Sequence, residues 1–143
     1  MPSSPLIVKF KKLDSRAKLP FRKHKGDAAY DLYAIEGGHL PLGVPTVIST
    51  GIAFKMPEGY YCEIHNRSSF GQKGITCHLG IIDQDYHGEV SPTLTAIFHP
   101  YNIEIGDRVC QIIFKKRIEV EFEETNEEFE SDRGKSGFGS TGK

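Results

Sequence analysis

Arg108-Val-Cys-Gln-Ile-Ile-Phe-Lys-Lys-Arg-Ile-Glu-Val-Glu-Phe122 reads as β-strand. It is rich in β-branched and aromatic residues. Near its end Ile118, Val120 and Phe122 alternate with Glu119, Glu121 and Glu123. That is the period-two pattern of a strand with one wet face. Similar short apolar runs recur at residues 6–13, 28–35, 46–56, 60–66, 75–82 and 90–98, separated by Gly and Pro. Many short strands with frequent turns predict an all-β barrel, sandwich or jelly roll. Only residues 68–73 invite a short helix, with Ser68 or Ser69 as cap and Gly74 as terminator. Pro92 cannot donate to a ladder, so the run around it is an edge, a bulge or a strand break.

A chain of 143 residues is long enough for one ordinary core. The strand pattern dissolves after about residue 124, which leaves a β domain at residues 1–124. Residues 125–143 form an acidic connector and a glycine-rich tail. The formal net charge of −1 points to neither a nucleic-acid nor a membrane partner. Charge is uneven, however: residues 9–25 are basic and residues 119–132 acidic. Runs of this kind are usually solvated faces or linkers. Three cysteines, Cys62, Cys77 and Cys110, leave an odd one over, which fits a reducing compartment rather than a disulfide framework. The six histidines show no metal-binding spacing. No apolar run approaches membrane-spanning length, and residues 1–5 lack the features of a signal peptide. The expected location is cytoplasm, a host's cytoplasm for a viral protein, or the nucleus of a eukaryote.

Five segments carry possible chemistry. Asp31 stands inside the apolar run of residues 28–35, where a buried carboxylate needs a cation or a hydrogen-bond network. Arg67-Ser-Ser69 opens the short helix with a guanidinium and two hydroxyls, groups that suit an anion. Gly80-Ile-Ile-Asp-Gln-Asp-Tyr-His-Gly88 delivers Asp83 at a strand end, where it could serve as a general base toward water. Gln111 lies within an apolar strand. The tail Arg133-Gly-Lys-Ser-Gly-Phe-Gly-Ser-Thr-Gly-Lys143 cannot build a core. Its cations, hydroxyls and backbone N–H groups suit a polyphosphate, and Phe138 could stack on a flat ring. Taken singly, each segment is also what an ordinary turn, cap, satisfied core polar group or solvated terminus looks like.

Together, in this order, the five segments resemble the motifs of the trimeric dUTP pyrophosphatase (dUTPase) family. The matching stretches are residues 29–32, 67–75, 80–88, 106–113 and 133–142. The resemblance implies a homotrimer of jelly-roll-like β subunits that hydrolyses dUTP to dUMP and pyrophosphate with Mg²⁺. Each active site would draw on several chains. It implies Asp83 as the base that deprotonates the attacking water, and Asp31 as a contact to Mg²⁺ through water. Arg67, Ser68, Ser69 and Gln111 would serve the phosphates. A hairpin spanning residues 75–82, with Gly80, Ile81 and Ile82, would read uracil through backbone groups, and Tyr86 would lie under the deoxyribose. Phe138 would cover the base, while Arg133, Gly139, Ser140 and Thr141 would close over the phosphates as a lid.

The chain departs from that pattern in two places. Asn66 stands where the family often has proline or glycine, and the Lys73-Gly-Ile75 join is one residue shorter than the commonest form. The shorter spacing is similar to dCTP deaminases, which share the fold and the Arg-Ser-Ser segment. Those enzymes need a glutamate where this chain has Thr93, and Glu89 sits too early to replace it. The alternative on this basis is a broader dUTP/dCTP pyrophosphatase or a dCTP-deaminase-like enzyme. Two readings of other classes are a non-catalytic nucleotide-sensing module and a β-barrel that binds single-stranded nucleic acid. The intact set Asp83, Tyr86, Arg133 and Phe138 weighs against the first, and the near-zero net charge against the second.

Overall fold

The computed structural model describes residues 4–139. Its strands are β1 (Lys9–Lys12), β2 (Tyr30–Tyr33), β3 (Gly38–Leu40), β4 (Thr46–Val47), β5 (Ile52–Lys55) and β6 (Tyr60–His65). Helix α1 (Ser68–Gln72) follows, then β7 (Ile75–Cys77), β8 (Gly80–Ile82), β9 (Thr93–Ala96), β10 (Tyr101–Ile103) and β11 (Arg108–Lys116). The fold is all-β with one short helix and jelly-roll-like, as the alternating runs indicated. Its strands form four small sheets rather than one closed ladder: β1-β5, β10-β3, β4-β9-β7 and the four-stranded β2-β11-β6-β8.

Strand β11 organises the largest sheet. It pairs antiparallel with β2 on one side and β6 on the other, with a bulge between Arg108 and Cys110 against β2. Val109, Cys110 and Ile112 are fully buried, and they pack with Leu32, Ile52, Ile75, Val90 and Leu94 into one core. Each large aliphatic side chain there contributes about 1.5–3 kcal/mol of burial. Phe114 stands edge-on to both Tyr30 and Phe54, which extends the core toward β5.

Three expectations need correction, and two strands were missed. The strand does not run to Phe122. It ends at Lys116, and residues 117–130 are exposed and outside any regular element. Their alternation records an amphipathic surface, but beyond the Arg117 N–H bond to the Gly59 carbonyl no strand among the described residues pairs with it. Strands β3 and β10 escape a periodicity reading because each has only three residues. The segment of residues 75–82 is not a paired hairpin, because β7 bonds to β9 and β8 bonds to β6. Finally, neither Ser68 nor Ser69 caps the helix. Arg67 holds the N-cap position with extended backbone and makes no side-chain cap bond.

Two other expectations hold. Gly74 follows the helix at φ +73°, a conformation open to glycine. Pro92 is fully buried just before β9, where its carbonyl accepts a bond from the Ile48 N–H at 3.0 Å. It stands outside the ladder, as a strand break requires.

Candidate functional site

Asp31 sits at the centre of an ion-pair network. Its backbone bonds reciprocally with Phe21, and Gln111 is its cross-strand neighbour on β11. One carboxylate oxygen lies 3.7 Å from Arg67 Nε and the other 3.7 Å from Arg108 Nη1. Arg67 also donates to the Arg108 carbonyl at 3.0 Å, and its guanidinium stands over the Phe70 ring. The guanidinium is therefore held from three sides before any ligand arrives. Arg108 belongs to this constellation although only Gln111 was singled out in its segment. Its position two residues after a turn glycine was the available signal.

Gln111 is part-buried and donates from Nε2 to the Asn66 carbonyl at 2.8 Å. Asn66 in turn donates from Nδ2 to the Ile75 carbonyl at 2.9 Å. That bond spans the shortened segment between β6 and β7, so one of the chain's unusual residues closes the other's loop. The hydroxyls of Ser68 and Ser69 make no hydrogen bonds among the described residues. Both line a cavity of about 520 Å³ with Asp31, Arg67, Arg108 and Gln111. Free hydroxyls and fixed guanidiniums around one cavity suit the oxygens of a phosphate chain.

A second constellation lies elsewhere. Gly80, Ile81 and Ile82 form β8, an edge strand hydrogen-bonded only to β6. β7 is likewise the edge of its own sheet. Each strand leaves one row of backbone donors and acceptors without a strand partner, the groups needed to read a base edge. Asp83 follows β8 and is exposed. With Tyr61, Ile81, Gln84, Asp85 and Arg117 it lines a different cavity, of about 480 Å³. The turn is fixed by the Tyr86 N–H bonded to the Asp83 carbonyl and by Gln84 accepting from the Gly59 N–H.

Tyr86 folds back so that its hydroxyl donates to the Glu89 carbonyl at 2.7 Å. Ser49 and Ser91 hold the Glu89 carboxylate from the other side. Gly88 makes this possible: a Cβ there would come within 2.5 Å of the Tyr86 hydroxyl. Glu89 is thus a support for Tyr86, which its sequence position alone did not reveal.

The two constellations lie at opposite ends of β6: Gln111 pairs with both Asp31 and His65 at the end that leads into Arg67, whereas Cys62 pairs with Ile82, which puts Asp83 at the Tyr61 end. The four residue steps from Tyr61 to His65 span roughly 13 Å at the usual rise of a strand. Within one chain, Asp83 and the Asp31–Arg67–Arg108 cavity are not brought together.

The tail packs on neither. Arg133 Nε donates to the Ser136 carbonyl at 2.7 Å, and Phe138 is fully exposed at φ +37° beside Gly139 at +91°. Ser140 and Thr141 lie outside the described residues.

All three thiols are buried. Loss of solvation pushes Cys62 up to about 12 and Cys77 up to about 11. Cys110 is raised well above its ordinary value for the same reason. None suits a nucleophile.

A dUTPase family model matches residues 15–142. The deoxyuridine 5'-triphosphate nucleotidohydrolase of cowpox virus is 39% identical over 136 residues, 94% of this chain and 92% of that protein. The vaccinia virus enzyme of the same name is 38% identical over the same shares. Among solved structures, the dUTPase of Staphylococcus bacteriophage 80alpha, a G164S mutant with dUpNHpp, superposes with a TM-score of 0.86 at 28% identity. It covers 95% of this chain and 98% of the phage chain.

Proposed function

The chain belongs to the dUTPase family, and from that premise we propose that it hydrolyses dUTP to dUMP and pyrophosphate at sites shared between copies of itself. The observation that carries the sharing is the separation of Asp83 from the Asp31–Arg67–Arg108 cavity, which lie at opposite ends of β6 and line different cavities. A base that far from the phosphate groups cannot serve them in the same chain. A second copy offering its β8 edge to the first copy's cavity would complete the site. A homotrimer is the assembly the family resemblance implies.

The residues past β11 support association. Ile118, Val120 and Phe122 are 78%, 64% and 97% exposed, and they alternate with carboxylates along an arm that has no partner among the described residues. An exposed amphipathic segment of this kind invites strand addition. The edge of β1 is open and carries Lys9, Lys11 and Lys12, charges complementary to the arm.

In the completed site, Asp83 orients and deprotonates a water that attacks the α-phosphorus, and pyrophosphate leaves. Positioning and charge neutralisation provide most of the acceleration. Arg67 and the Ser68 and Ser69 hydroxyls hold phosphate oxygens, with Arg108 and Gln111 beside them. The open backbone edges at residues 75–82 read uracil. Cytosine would leave buried groups unpaired there. Tyr86, fixed by the Glu89 carbonyl, lies under the deoxyribose and excludes a ribose 2′-hydroxyl. The tail closes last. Phe138 covers the base, while Arg133 and Gly139, with Ser140 and Thr141, meet the phosphates and exclude water.

Among the described residues no group of three or more His, Cys, Asp or Glu side chains converges on a point. The described residues offer no cage of carboxylates, thiols and imidazoles for a metal. Asp31, already flanked by two arginines, suits an outer-sphere contact through water to Mg²⁺ whose other ligands are phosphate oxygens and waters. The chemistry such an ion supplies when bound is neutralisation of the triphosphate charge.

The test is pyrophosphate release with Mg²⁺ from dUTP, dCTP, dTTP and UTP side by side, with ammonia followed for dCTP. Selective release from dUTP is the expected result. Comparable release from dCTP would replace this reading with a broader deoxypyrimidine triphosphatase, and ammonia would replace it with a deaminase.

A further inference from the structure

The phosphate cavity has a wall that the five motifs do not include. Arg22, Lys23 and His24 line it opposite Arg67 and Arg108. They belong to the basic run of residues 9–25, which the sequence marks only as a charged surface. The loop that carries them is held in shape at both ends. Phe21 bridges Asp31 through paired backbone bonds, the Asp27 N–H donates to the His24 carbonyl at 3.0 Å, and the His24 N–H donates to Asp27 Oδ2 at 3.0 Å.

Charge is out of balance across this cavity. Arg22, Lys23, Arg67 and Arg108 are set against Asp27 and Asp31. Asp31 is engaged by Arg67 and Arg108, and the Asp27 carboxylate caps its own turn. Arg22 stands over the Tyr30 ring and donates to the Asp27 carbonyl, with no ion pair among the described residues. Lys23 has neither an ion pair nor a side-chain hydrogen bond among them and is exposed. Two cations on one wall, facing two more on the other, repel one another until an anion enters.

We propose that the loop of residues 21–28 is a second cationic wall that binds the outer end of a condensed phosphate. Its ligands are the terminal phosphate of the substrate and the pyrophosphate left after cleavage. The wall rests on the dUTP-hydrolysis reading for its substrate, but its affinity for pyrophosphate does not. Arg22 also braces the loop, so Lys23 is the cleaner probe.

The experiment compares the full-length wild type with Lys23→Gln, Lys23→Glu and Lys23→Arg. It measures KM for dUTP, inhibition by inorganic pyrophosphate and inhibition by dUMP, whose single phosphate does not reach the outer wall. Lys23→Gln is expected to raise both KM and the pyrophosphate inhibition constant roughly fivefold, the scale of one charge in a partly solvated site. Lys23→Glu raises them further, Lys23→Arg restores them, and the dUMP constant stays put. Equal pyrophosphate inhibition in wild type and Lys23→Glu would overturn the wall, as would an equal loss of dUMP affinity. Should the wild type not turn over dUTP, the function reading fails, and calorimetric titration of pyrophosphate into the same proteins still decides the wall.

Discussion

The two ends of β6 are built differently. At the His65 end, Asp31, Arg67, Arg108, Gln111 and Asn66 are tied to one another by ion pairs and hydrogen bonds inside a single chain. At the Tyr61 end the outer backbone row of β8 is open and Asp83 faces solvent. One half is preorganised before ligand arrives, and the other half is unfinished. That contrast is what a site divided between subunits needs. In the proposed site, the half that would handle the charged phosphates is tied together, and the half that would bring base and nucleophile would be presented outward to a neighbour.

The strongest way to break the contrast is to neutralise the exposed half. Asp83→Asn removes a side chain with no hydrogen bond among the described residues, so melting temperature should stay within a degree or two. The kcat for dUTP should fall about 10²–10⁴-fold, the usual scale for loss of a general base. Next in size is the tail. Among the described residues, a chain ending at Asp132 loses nothing packed on the core, because Phe138 is fully exposed. It should fold and associate as the full chain does, with turnover reduced by at least about tenfold. Full activity in that truncation would remove the lid from the mechanism.

Core and arm can be contrasted by stability. Ile112→Ala empties a fully buried position between β2 and β6 and should cost about 2–5 kcal/mol in denaturant unfolding. Phe122→Ala should cost the isolated chain almost nothing yet weaken association, seen by ultracentrifugation as a shift to smaller species.

The smallest effect concerns acid. Hydrogen bonding to His65 and Tyr61, followed by Lys115, holds the Glu63 carboxyl below its ordinary value. A depressed carboxylate contributes stability that is present above its unfolded value and lost as pH falls through the folded one. Glu63→Gln should therefore lower stability slightly at neutral pH and flatten its loss below about pH 4.5, so that the two proteins converge in acid. An unaltered acid limb would show that Glu63 titrates as an unfolded carboxylate does.

Much of the fold was legible because its cause is local. The apolar runs at residues 108–122, 60–66 and 28–35 reflect which side chains meet the core, and β11, β6 and β2 appear inside them. The three-residue strands β3 and β10 could not be seen, because three residues hold no period. Residues 117–123 misled for a different reason. Alternation reports amphipathicity, and a strand also needs a neighbour, which a single chain's sequence does not supply.

The site divides the same way. Asp31, Arg67 and Gln111 converge as their motifs suggested. Arg108 and the Arg22–Lys23 loop join them only through the register of β2 against β11 and the bridge from Phe21 to Asp31. Those are long-range pairings that no local pattern encodes. The Ser49–Glu89–Ser91 support beneath Tyr86 spans forty residues and was invisible for that reason.

Complementation tests the divided site most directly. Asp83→Asn and Arg67→Ala each remove one half, and each alone should be nearly inactive. Unfolded together and refolded as a mixture, they should recover a substantial fraction of wild-type dUTP turnover, because mixed assemblies contain sites with an intact Asp83 from one chain and an intact Arg67 from another. A mixture no more active than its parents, with mixed assembly verified by mass, would contradict sharing and place the whole site within one chain.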